Sequence, residues 1–262
     1  MHLKRLVIAL ILIPLFYIYV MYLPPEFFLF ILTFFGTIAL LEFYTMYRIS
    51  GLLKYAGIFW GAAFLFVFFL ARDLFADILL LSALTVMGIR LFAKRDPKAS
   101  LSDISAAMLG LLYIPGLLTF QFSLIKEGPQ WIVLLYASVW AADSMAYYAG
   151  TSIGKRKLYK EISPNKTVAG AAGSVIGGIL GAALIKATIL QQISLYQTIL
   201  IGSVVGITTV IGDLVESMFK RDAGVKDSSN VVPGHGGVLD KLDGVTFAGP
   251  ALYWLCLGLG LI

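Results

Sequence analysis

Asp213 and Ser217 stand four residues apart and Lys220 follows three later, so on an α-helix all three project from nearly one face. The run that carries them is otherwise apolar, and a carboxylate there is costly unless a cation or a water-filled cavity compensates it. The segment that follows suits phosphate chemistry. Gly234, Gly236 and Gly237 let backbone N–H groups approach an anion, and Lys220, Arg221, Lys226 and Lys241 bring positive charge. Asp240 and Asp243, three apart, can join Asp213 in holding Mg²⁺ against phosphate oxygens. His235, between glycines, can contact a phosphate or hydrogen-bond within its loop. A second set lies upstream, where Asp143 and Tyr147 are four apart and Lys166 and Thr167 stand at the start of an apolar run, a position suited to meeting a phosphate.

These groups must be positioned by membrane-spanning helices. The chain has 262 residues, 59% hydrophobic and 13% charged, with a mean hydropathy of +0.89. Soluble domains carry about 25% charged residues, so a soluble enzyme is excluded. Apolar runs between charged or Pro-rich breaks predict an all-α polytopic membrane protein of about nine spans: Leu6 to Tyr22, Glu26 to Tyr47, Leu52 to Ala71, Leu74 to Phe92, Ile104 to Ile125, Trp131 to Gly150, Val168 to Leu190, Tyr196 to Met218 and Val245 to Ile262. One side of this arrangement holds Lys4, Arg5, the run Lys155 to Lys157, Lys220 and Arg221; the other holds only Arg72, Lys126 and Lys186. The positive-inside rule then places the N-terminus and the long loops in the cytoplasm. Asp143, Lys166, Asp213 and Asp240 are thereby expected to converge on one membrane surface.

Residues 1–126 read as a scaffold with Glu42 as a notable acid in an apolar run, and residues 127–262 as the catalytic region with cytoplasmic loops at 151–167 and 219–244. Gly170, Gly173, Gly177 and Gly181 recur at three- and four-residue steps, the pattern of close helix packing. With Cys256 the single cysteine and only His2 and His235 besides, a Cys/His zinc cluster is excluded and any metal site needs oxygen ligands. A P-loop is absent, because Gly150 to Lys155 has one residue too few and Arg156 follows. The basic balance, +5, is read as topology rather than as a nucleic-acid partner.

The run Ser217-Met218-Phe219-Lys220-Arg221, then Lys226-Asp227, then Pro233-Gly234-His235-Gly236-Gly237-Val238-Leu239-Asp240-Lys241-Leu242-Asp243 closely resembles the signature of phosphatidate cytidylyltransferases, or CDP-diacylglycerol synthases. Asp143-Ser144-Met145-Ala146-Tyr147 and Ser163-Pro164-Asn165-Lys166-Thr167 with Gly170 are similar to that family's other recurrent elements. The resemblance covers Ala141 to Asp243. It implies transfer of the cytidylyl group of CTP to phosphatidate in a plasma (inner) membrane, with the site facing the cytoplasm and a homodimeric assembly. It further implies metal ligation by Asp213 and Asp240, leaving room for a second ion. Catalytic roles fall to Asp213, Ser217, Lys220, Arg221, Asp240 and Asp243, and substrate contacts to Asp143, Lys166, Thr167, Lys226, Asp227, His235, Gly236, Gly237 and Lys241. Lys241 stands where the family usually has arginine, which keeps the charge and loses the bidentate fork. A CTP-dependent lipid or polyprenol kinase and an anion transporter are the alternative readings, the former separated by its product and the latter by transport without chemical change.

Overall fold

The structure is a computed structural model that describes residues 2–94, 96–229 and 236–262, with side chains from residue 12 onward. In chain order the helices are α1 (His2–Tyr22), α2 (Pro25–Met46), α3 (Gly51–Leu70), α4 (Phe75–Ala93), α5 (Ser100–Leu111), α6 (Leu117–Glu127), α7 (Pro129–Ile153), α8 (Val168–Thr188), α9 (Leu195–Asp222) and α10 (Leu239–Gly258). A five-residue π-helix, Leu112–Gly116, joins α5 to α6 where Pro115 cannot continue the α ladder. Local chemistry marks the other ends. Pro25 starts α2 with its φ preset for a helix and no N–H to lose. Ser194 and Gln197 close a capping box on α9, with bonds of 3.2 Å and 2.7 Å.

Six segments among the described residues are long and apolar enough to cross a membrane: Pro25–Met46, Gly51–Leu70, Arg72–Ala93, Ser100–Glu127, Val168–Thr188 and Leu195–Asp222. The other three expected spans coincide with α1, α7 and α10. The last two are diluted by polar residues at their site-facing ends, Asp143 and Ser144 in one and Asp240, Lys241 and Asp243 in the other. One departure from an all-helical chain lies in the loop after α7. Strands β1 (Lys157–Tyr159) and β2 (Ser163–Thr167) pair antiparallel, Lys157 opposite Thr167 and Tyr159 opposite Ser163. Pro164 bars a helix there and biases Ser163 to extended backbone.

Aromatic and aliphatic side chains of α2, α3, α5 and α6, among them Phe43, Tyr44, Phe64 and Phe122, make a fully buried core. Tyr44 is accommodated because Gly110 has no side chain: a Cβ there would come within 2.7 Å of its ring. Its hydroxyl donates to the carbonyl of Ala107 at 2.9 Å, so no buried donor is left open. The two halves of the chain interlock, since α10 packs on α9, α6, α7 and α2.

The glycine ladder makes a second kind of packing. Gly170, Gly173, Gly177 and Gly181 of α8 face the backbone carbonyls of Ala146, Met145, Ala141 and Ala137 of α7, so the two helices run antiparallel in near backbone contact. On its other face α8 meets α9, where Gly206 approaches Ser174 and Ser174 Oγ donates to the Gly206 carbonyl at 2.9 Å. Gly206→Val is therefore expected to separate α8 from α9, since even a Cβ would lie 2.6 Å from the Ser174 carbonyl oxygen. Gel filtration in detergent is expected to show an aggregated product, and a monodisperse, active variant would contradict this packing.

Candidate active site

The C-terminal turns of α9 carry Asp213, Glu216, Ser217 and Lys220 on one face, and the first turns of α10 carry Asp240 and Asp243 opposite them. Asp143 comes from α7 and Lys166 from β2, one residue before Thr167. That threonine caps α8 by accepting from the Gly170 N–H at 3.0 Å. All of these except Ser217 line one cavity of about 670 Å³. At the far end of the bundle Arg72 donates to the Tyr253 hydroxyl at 3.1 Å. Tyr253 lies thirteen residues beyond Asp240, about 20 Å along a helix. The chemistry-bearing groups are gathered at one end.

Among the described residues, five carboxylates and two ammonium groups face the cavity. Lys166 Nζ meets Asp213 Oδ2 at 2.7 Å, and Lys220 Nζ bridges Glu216 Oε2 and Asp240 Oδ1, each at 2.5 Å. Asp240 is committed on both oxygens: Oδ2 accepts from the Gly237 N–H at 2.7 Å, Ser228 Oγ at 2.8 Å and the Ser228 N–H at 3.2 Å. Ser217 Oγ lies 3.4 Å from Asp213 Oδ1, a long contact.

A second grouping of acids brings three carboxylates together while, among the described residues, only two of them hold a lysine. Asp213, Glu216 and Asp243 each offer an oxygen within 4.8 Å of the others. Asp243 accepts only from the neighbouring Gly244 N–H, at 2.9 Å, in the hydrogen bonds described. Glu216 is 1% exposed, and its Oε1 has no hydrogen-bond partner among the described residues. Three carboxylates this close, partly removed from water, repel one another unless a cation joins them. An all-oxygen, multiply charged donor set is what a hard divalent ion takes. The residues present fit such an ion.

The resemblance implies Asp213 and Asp240 as metal ligands, and the spacing adds Asp243; in the structure Asp213 lies with Glu216 and Asp243, and Asp240 meets Lys220. Glu216 was missed, although its signal was available: it lies three residues after Asp213 and four before Lys220, on the same face. Arg221 points away from the cavity, donating to the carbonyls of Ile162 at 3.2 Å and Val225 at 3.0 Å, so it fastens the turn of the β-hairpin to the end of α9. Lys226, Asp227 and Lys241 are exposed and outside the cavity lining. Gly236, at φ +83°, and Gly237 wrap Asp240, and a Cβ on Gly236 would lie 2.7 Å from Asp240 Oδ2. Pro233, Gly234 and His235 lie outside the described residues.

The sequence profile of the Cytidylyltransferase family matches residues 3–258, a span that takes in every one of these side chains. The chain belongs to that family. Among curated relatives, this cytidylyltransferase-family chain is 40% identical over 157 residues to the phosphatidate cytidylyltransferase of Bacillus subtilis (strain 168), a match covering 58% of the chain and 58% of that protein. It is 34% identical over 181 residues to the protein of the same name from Staphylococcus saprophyticus, covering 69% of the chain and 67% of the relative. With the Mycobacterium bovis phosphatidate cytidylyltransferase it shares 38% identity over 166 residues, covering 63% of the chain and 54% of the relative. The matched segment thus spans a little over half to two thirds of these relatives' lengths.

Proposed function

We propose that the protein transfers the cytidylyl group of CTP to phosphatidate, giving CDP-diacylglycerol and pyrophosphate, at the cytoplasmic face of a plasma membrane. The observation that carries this reading is the cavity, in which three clustered carboxylates and two lysines face one another between helices of a membrane-spanning bundle. Membership of the family and the names of its curated relatives support the substrates. The location of basic residues in the sequence supports the cytoplasmic side.

Asp213, Glu216 and Asp243 would hold Mg²⁺, which when bound neutralises charge on the triphosphate and on the departing pyrophosphate. Lys166 and Lys220 present ammonium groups that phosphate oxygens can take over from Asp213 and Glu216. Asp240 keeps Lys220 anchored while this exchange occurs. A phosphatidate oxygen attacks the α-phosphorus in line with the leaving pyrophosphate. The second ionisation of a phosphate monoester lies near pH 6, so the attacking oxygen is already largely charged and no residue must first remove its proton. The positioning of two anions beside lysines is then the main task of the chain.

The test uses purified protein in mixed micelles of phosphatidate with Mg²⁺ and CTP labelled at the α-phosphorus. Label is expected in the lipid phase with one pyrophosphate released per lipid labelled, and chelation of Mg²⁺ by EDTA is expected to abolish it. Label released to water as CDP, with the γ-phosphoryl on lipid, would establish a kinase instead.

A further inference from the structure

Glu42 lies on α2, far from the signature in sequence, and is 5% exposed within an apolar helix. A buried carboxylate in such a helix needs compensation, and among the described residues no lysine or arginine supplies it. Four neutral donors among the described residues do, two on each oxygen. Oε1 accepts from Ser229 Oγ at 2.6 Å and the Val238 N–H at 3.0 Å. Oε2 accepts from the Leu239 N–H at 2.8 Å and lies 3.0 Å from Ser228 Oγ. Val238 and Leu239 are the N-cap and first residue of α10, whose amides have no partner within their own helix. Glu42 thus caps α10 from a segment nearly 200 residues earlier, in the negative sense that a helix N-terminus favours.

The same contacts reach the site. Ser228 Oγ lies 3.0 Å from Glu42 Oε2 and 2.8 Å from Asp240 Oδ2, so two carboxylates share one hydroxyl whose single proton can serve only one at a time. Asp240 in turn holds Lys220. Gly237 leaves the space for this approach, since a Cβ there would lie 2.7 Å from Glu42 Cδ. Glu42 itself does not line the cavity.

We propose that Glu42 is a positioning residue for the transfer reaction, setting Asp240 and through it Lys220 by way of Ser228 and the start of α10. This rests on the cytidylyl-transfer reading. Glu42→Gln keeps the size of the side chain but turns an NH₂ group toward donors, which cannot accept their protons. Hydrogen-bond partners that orient metal ligands cost about 10- to 100-fold when changed, and a residue that orients the carboxylate holding a cavity lysine is expected at the lower end of that range. With CTP labelled at the α-phosphorus, at a temperature well below the variant's unfolding midpoint, kcat is expected to fall at least about 10-fold with KM for CTP changed less than about 2-fold. A cap that is only structural would lower the midpoint and leave kcat of the folded enzyme at the wild-type value, and that result overturns the proposal.

Should Glu42→Gln not fold, Ser228→Ala removes the hydroxyl that Glu42 and Asp240 share, while leaving Glu42 three of its donors among the described residues and Asp240 the Ser228 N–H. It is expected to lower kcat about 3- to 10-fold, roughly the net worth of one ordinary hydrogen bond because Asp240 keeps the Ser228 N–H, and a wild-type kcat there overturns the proposal equally. The wild-type protein separates the two failures. Without lipid label in the wild type, the transfer reading falls and the role of Glu42 with it; with lipid label in the wild type and an unchanged kcat in the variants, only the role of Glu42 falls.

Discussion

Replacing Asp213 or Asp243 with asparagine is expected to lower turnover by about 100- to 1,000-fold, about 3–4 kcal/mol of transition-state stabilisation. Asparagine keeps the shape of the side chain and removes the charge, so α9 and α10 should fold and the loss should appear in catalysis. The three acids Asp213, Glu216 and Asp243 are close enough to share one ion. Deleting one charge should therefore also raise the Mg²⁺ concentration needed for half-maximal activity. Asp240→Asn is expected to behave differently, because its oxygens are already taken by Lys220, Ser228 and Gly237. It should lose activity through a displaced Lys220, and raising Mg²⁺ should not restore it. Near-normal activity of Asp213→Asn or Asp243→Asn at limiting Mg²⁺ would sink the assignment of these acids to the metal.

Lys220→Met is expected to have the largest effect on stability. The lysine is 8% exposed and stands between Glu216, at 1%, and Asp240. Removing one partner of a buried ion pair leaves uncompensated charge and costs about 3–5 kcal/mol. For a chain of this size that corresponds to a thermal midpoint lower by about 10 °C. Mg²⁺ should recover part of the loss, since a ligand that binds only the folded state stabilises it by mass action. Unfolding followed in detergent with Mg²⁺ and with EDTA checks both parts. A variant within about 2 °C of wild type in EDTA would show that Lys220 does not hold these acids together.

How much of this was legible follows from the kind of signal each residue leaves. The apolar runs gave helices such as Glu26 to Tyr47 and Leu52 to Ala71 to within a residue or two of Pro25–Met46 and Gly51–Leu70, because exposure to lipid or core demands continuous apolarity. Where a span ends in the site, the same signal failed. α9 runs on to Asp222 and α10 begins at Leu239, so Lys220, Asp240 and Asp243 are helical although hydropathy assigned them to a loop. Polar residues facing a cavity look like loop residues when read by composition. The 3,4 spacing of Asp213, Ser217 and Lys220 placed one face correctly, since helical periodicity needs no knowledge of partners. Which carboxylates meet across α9 and α10 depends on how two helices cross, and this left Asp240 and Asp243 interchangeable in the sequence. Glu42 stood out as an acid in an apolar run, but its four donors among the described residues lie about 190 residues away and no local pattern connects them. Strands of three and five residues carry too little alternation to be seen, with Pro164 as their one local mark.

The seams between α7, α8 and α9 have a consequence for how accurately the site is held. Lipid chains are as apolar as leucine, so helices in a bilayer gain little from hiding apolar surface from their surroundings. Every side-chain torsion frozen at a helix contact is then an entropy loss with little to offset it. Gly173, Gly177, Gly181 and Gly206 have no side-chain torsions to freeze, and they meet their neighbours through backbone that the helices have already fixed. Asp143 and Asp213 ride on helices joined by these contacts, and Lys166 leads directly into the helix between them. Their spacing is thus set by backbone lying directly against backbone, at almost no cost in side-chain freedom.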